Sequence, residues 1–174
     1  THMAEIKSTL DLVMERTRHL TLSESEKAAQ SAADAERRVA GLVQRYVDQA
    51  LKPHEFTAEL GLLASENSNT RVLAVGALID AVDLNGDNDA LFSLLADHLD
   101  TPVYAIQTIV SGCRSAMQEQ AAQQRAKLRD HLQKERHISG SAVVPHLAAE
   151  KGWHQHQRRI EQQFRQKLDA LKPR

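Results

Sequence analysis

Five oxygen-bearing side chains crowd the heptapeptide Asp83-Leu84-Asn85-Gly86-Asp87-Asn88-Asp89. It begins like a calcium loop, in which alternating oxygen ligands need a glycine at the sixth place for the sharp turn. The register excludes that chemistry. With Gly86 sixth, Ala81 falls at the first ligand position and Phe92 at the twelfth, where a bidentate glutamate belongs. The segment reads instead as a helix stop followed by a helix start. Nine histidines, His2 included, raise the question of a transition metal. The densest pair, His154 and His156, is two residues apart, so on a helix the rings point about 200° from each other. His131 and Glu135 are one turn apart, but no Glu-x-x-His pair, the signature of a four-helix carboxylate site, is present. The histidines therefore read as solvated, with no metal and no cofactor expected. Cys113 would be a nucleophile only with a depressed pKa and a histidine nearby in space. Its place on an apolar seam reads as a small core residue. No catalytic residue is expected, and an enzyme reading would need a buried pocket lined by several of His98, His131, His137 and Cys113.

Basic residues offer a second kind of chemistry. Arg158, Arg159, Arg165 and Lys167, with Arg125, Lys127 and Arg129 upstream, could contact phosphates. Of these, Arg125, Arg129, Arg158, Arg159 and Arg165 are the candidate anion-binding set. Aromatic residues are 3% of the chain, no DNA-reading helix-turn-helix cue is present and the pI is near 6.7, so nucleic acid is not the expected partner. The net charge of −1 hides a dipole. Residues 51–100 hold two basic residues, Lys52 and Arg71, against nine acidic ones, hence −7; residues 101–174 hold thirteen basic and six acidic, hence +7. Asp130, Glu135, Glu161 and Asp169 interrupt the basic faces, which favours two halves that complement each other, within one molecule or between subunits, over a phosphate-binding surface.

The third candidate is Ile138-Ser139-Gly140-Ser141-Ala142-Val143-Val144-Pro145. Apolar residues in a polar, basic neighbourhood are more than a connector needs. Ser139, Gly140, Ser141, Val143, Val144 and Pro145 are the candidate interaction residues: the segment docks in a groove, pairs with a partner, offers backbone amides to an anion or, most plainly, packs on its own hairpin. A serine nucleophile is unsupported, because no Gly-x-Ser-x-Gly elbow is present.

The part of this segment from Ile138 to Val143, together with Met3-Ala4-Glu5-Ile6-Lys7-Ser8-Thr9-Leu10, Glu15-Arg16-Thr17 and Leu22-Ser23, resembles a small bacterial family of helical proteins without an assigned activity. The resemblance covers the two ends of the chain. It implies a bacterial cytoplasmic setting and carries no site residues over.

The elements that must position these residues read as helices. Glycine is scarce, four prolines sit at apparent boundaries and no alternating segment is bounded by turn dipeptides, so the expected class is all-α. Thr1 and His2 read as a cloning scar before Met3. Ile6, Leu10, Val13, Thr17 and Leu20 give a heptad helix over 4–20. Ser23 and Glu26 form a capping-box pattern opening a helix to about Ala50, with Ala28, Ala32, Ala35, Val39, Leu42 and Tyr46 on one stripe. Pro53 opens a short helix, and Thr70 caps a largely apolar one that should be central. Another follows from Asp87 or Asn88 to Leu99. The spacing then predicts a rod from Thr101 to His137, capped by Thr101 with Pro102 in the first turn, and about 54 Å long. Its second half is thin in apolar residues. A last helix runs from Trp153 to Leu171. The expected architecture is a single helical domain over 3–174, with a bundle body to residue 117 and a hairpin over 118–174 that folds back on the body or projects as an arm.

No apolar run approaches the roughly 18 residues a spanning helix needs, so no membrane partner is expected, and the setting reads as cytoplasmic. Apolar stripes on helices too long for a compact body point to a non-enzymatic assembly or adaptor protein that self-associates and meets other proteins. The alternative is a binding module for an anionic ligand or nucleic acid through the basic C-terminal helices.

Overall fold

Helix signals dominate the sequence, and the computed structural model, which describes residues 23–140, 143–150 and 152–173, is all-α: six α-helices and no strand among the described residues. They are α1 (Glu24–Val47), α2 (Pro53–Glu66), α3 (Thr70–Asp80), α4 (Asp89–Ser93), α5 (Tyr104–Arg136) and α6 (Trp153–Asp169). The heptad helix expected over 4–20 lies outside the described residues, as do Ser141 and Ala142. The chain divides into two units between Arg38 and Val39.

In the first unit, the capping box at the start of α1 is formed as the sequence predicts. The Ser23 N–H donates to the Glu26 carboxylate at 2.7 Å, and the Glu26 N–H returns to Ser23 Oγ at 3.2 Å. The bond from Ser23 holds the Glu26 carboxyl below its ordinary pKa. The alanine stripe is not a buried seam here: Ala28 and Ala32 are exposed and Ala35 is half-buried.

In the second unit the core begins where the small residues give way to larger ones, at Val39, Leu42, Val43 and Tyr46. α1 stops at Val47, three residues earlier than expected, because Gln49 takes a left-handed φ of 59° and the chain closes a Schellman turn, with Ala50 N–H to Arg45 O and Gln49 N–H to Tyr46 O. Glu55 reaches back to the Lys52 N–H at 2.7 Å to start α2, behind Pro53. Arg45 then ties α1 to α2 through both oxygens of Glu59, and Tyr46 meets Phe56 edge to face at 5.3 Å. α3 is central as expected: Ala74, Leu78 and Ile79 are fully enclosed.

Two further boundaries differ from the expected ones, each for a local reason. The helix expected from 87 or 88 to 99 is α4 followed by a wider turn, Leu94–His98, closed by the Leu99 N–H on Leu94 O. The rod starts at Tyr104, not Thr101. The Thr101 hydroxyl turns backwards and donates to Leu99 O at 3.1 Å, so it does not cap the helix ahead. α5 is 33 residues, about 50 Å. Among the described residues no helix is long and apolar enough to cross a membrane.

α5 and α6 form an antiparallel pair, meeting where Phe164 lies over Gly112; a Cβ on that glycine would stand 3.2 Å from the ring. The last turns of α6 fold back on α3 rather than standing off as an arm. Leu168 is fully buried in the main core, and Arg165 donates to the carbonyls of Asp80 and Val82 at 3.2 and 3.0 Å. Lys172 completes the grip on the Asp80 carboxylate at 2.5 Å and on Asp169 at 2.7 Å. Cations at the C-terminal end of α3 meet the negative pole of its dipole and its orphan carbonyls together.

Candidate functional site

The segment after α5 is a strap on its own hairpin. His137, left-handed at φ 54°, ends the helix, and Gly140 turns the chain at φ 141°, a conformation L side chains rarely adopt. The following residues alternate: Val143 half-buried, Val144 exposed, Pro145 buried, His146 exposed, Leu147 buried. That period of two is the mark of an extended chain with one face down. Arg129 of α5 donates to Val143 O at 3.4 Å, and a 3₁₀ turn, Leu147–Ala149, rests against both helices of the hairpin. Leu147 and Trp153 are buried, yet neither belongs to the main core. Backbone bonds from Glu150 N–H to Leu147 O and from Trp153 N–H to Glu150 O carry the chain from this turn into α6.

Among the candidate interaction residues, Ser139 and Gly140 are exposed, Val143 and Pro145 face the hairpin, and Val144 is 73% exposed. Ser141 lies outside the described residues. The Val143 N–H is bonded to Gly140 O at 3.2 Å, which removes one amide from any anion nest. Ile138, 47% exposed, and Val144 leave two apolar side chains in water at this turn.

The candidate anion-binding arginines are not equivalent. Arg125, Arg158 and Arg159 are exposed, while Arg129 holds the strap and Arg165 holds the end of α3. Arg158 and Arg165 line one open cleft of about 350 Å³, but Asp83 and Glu161 line it too, so the local field is mixed. Lys167 lies 4.3 Å over the Phe164 ring. Inside the second unit the acidic and basic stretches meet through one opposite-charge pair, Lys172 with Asp80, and through hydrogen bonds: Arg165 on Asp80 O, Arg114 on Gly86 O, and Asn85 donating to Glu161 at 2.9 Å.

The acidic heptapeptide is closed on itself. Asn88, 3% exposed, accepts from the Asp83 N–H at 2.8 Å and donates to Asp83 O at 2.6 Å, and Asp83 and Asp87 each accept an N–H two residues on. Among the described residues no group of three or more His, Cys, Asp or Glu is placed to hold a metal ion. His98, His131 and His137 are all exposed and Cys113 is fully buried, so the pocket an enzyme reading would need is not assembled from them. Burial, with Glu161 adding to it, pushes the Cys113 thiol above its ordinary pKa, the opposite of an activated nucleophile.

One concavity has no signature in the sequence. A groove of about 590 Å³ runs between α3, the approach to α5 and residues 171–173, with Arg71 and Asp100 on its lining. Its walls are assembled from three distant segments, so no spacing announces it; the one local signal is Arg71, one of two basic residues in an otherwise acidic stretch of fifty. Comparison with protein families, curated proteins and solved structures finds no match to the chain.

Proposed function

We propose that this protein is a non-enzymatic helical assembly or adaptor protein, which acts by self-association and by contacts with other proteins through the turn of its C-terminal hairpin. The observation that carries the reading is the pair of exposed apolar side chains, Ile138 and Val144, presented on a strap whose other face is locked to the hairpin. A loop that only reversed the chain would not need a buried proline and leucine beneath and a bare valine above. The long α5–α6 pair, with its half-buried stripe at Ala121, Leu128 and Leu132, is of coiled-coil type and gives a second surface for another helix. The setting we infer from the bacterial resemblance and the single thiol is a bacterial cytoplasm.

Light scattering on the intact chain tests the reading. The expected mass is at least that of two chains at high protein concentration, and Ile138→Asp with Val144→Asp should lower it while leaving helical circular dichroism unchanged. A strict monomer that also captures no protein partner sinks the proposal.

A further inference from the structure

We propose that the groove between α3 and the start of α5 is a binding site for a small amphipathic carboxylate, an acid head on one apolar tail. This inference does not depend on self-association. The groove is concave, about 590 Å³, and walled by Val72, Val75, Ile79, Pro102, Ile106 and Leu171. Its volume is in the range of small-molecule sites, and its walls are the apolar kind that shed water around a hydrocarbon tail.

The polar groups choose the head. Arg71 is exposed on the lining, with one terminal nitrogen fixed on Leu99 O at 2.7 Å, which orients the guanidinium while its remaining N–H groups keep their donor capacity. A planar guanidinium with N–H groups still to donate suits a carboxylate better than any neutral head. Two helices also begin on this groove, since Arg71 and Val72 lie in the first turn of α3 and Ala105 and Ile106 in that of α5. Neither Asn69 nor Val103, the residues before those helices, supplies a side-chain cap, so both positive dipole ends add to the charge of Arg71. Asp100 also lines the groove, held in a left-handed turn at φ 47°, so the field here is mixed as in the Arg158–Arg165 cleft; what sets this groove apart is its apolar wall, and Asp100 opposes an anion. Its carboxylate sets a ceiling on affinity and gives the site a second handle for testing.

Titration calorimetry on the intact protein with decanoate, 1-decanol and acetate as probes reads each part. Decanoate is expected to bind, 1-decanol about tenfold more weakly, and acetate not measurably. Asp100→Asn should tighten decanoate about threefold or more. Arg71→Gln should abolish the preference for decanoate over decanol, and Arg71→Lys should keep part of it, which separates lost charge from lost structure. Ala105→Trp, an exposed position on the groove, should block both tailed probes with helical circular dichroism unchanged. Amide shifts induced by decanoate should map to Arg71, Val72 and Ala105. No decanoate binding, equal affinity for decanol, shifts confined elsewhere, or binding unaffected by Ala105→Trp would each overturn the proposal.

Discussion

Asn88 is the polar residue with the most to lose. It is 3% exposed, and its amide satisfies both the N–H and the carbonyl of Asp83, which otherwise lack a regular partner between α3 and α4. Asn88→Ala strands two backbone groups and is expected to cost about 2–4 kcal/mol, measurable by urea denaturation. Asn88→Asp should be no better, because it trades the donor to Asp83 O for a charge among Asp83, Asp87 and Asp89. Cys113 gives a second test at this scale. Its thiol is fully enclosed and held protonated by burial, so alkylation should proceed only as fast as the protein opens, and labelling in denaturant should be complete. The sequence placed Cys113 correctly because its spacing with Ile106 and Val110 fixed the seam. It named Asn88 only as a possible cap, since a pin that closes a loop on itself depends on backbone direction, which residue type does not encode.

α5 and α6 approach closely at Gly112. Gly112 lets the Phe164 ring come within van der Waals reach of the α5 backbone. Gly112→Leu should drive that ring off and destabilise the hairpin by about 2–3 kcal/mol, whereas Gly112→Ala should lie near neutral, its gain in helix propensity offset by a small shift of the ring. Thermal melts of the two variants decide it. Among the described residues, helix order and the central place of α3 were legible in the sequence, because apolar periodicity survives any arrangement of the partners. Helix ends were less so. Thr101 looks like a cap in any sequence, and what disqualifies it is a hydroxyl turned back onto Leu99 O, just after the wide turn at Leu94–His98. That the strap packs on its own hairpin was the plainest sequence reading, but which of its residues face down was not legible: Val143, Pro145 and Leu147 alternate, and the surface they alternate against is built by helices on either side.

At the scale of the whole Val39–Arg174 unit, acidic and basic stretches answer each other across α3 and α6. The Lys172 ammonium is held above its ordinary pKa by Asp169 and Asp80. A raised lysine stabilises the fold fully below the pKa of an unfolded lysine, and the contribution fades as pH rises through the higher folded value. Asp80→Asn should therefore lower the melting temperature slightly at neutral pH, with the difference vanishing in strong alkali; the pair is partly exposed, so the effect is small. The opposing charge of the two stretches was readable by counting, but which cation meets which carbonyl was not. The only tryptophan, Trp153, is buried at the start of α6, next to the strap and outside the main interior. Indole fluorescence is thus a private reporter on one corner: followed during denaturation, it should trace the strap letting go, on a curve separate from the ellipticity of the remaining helices.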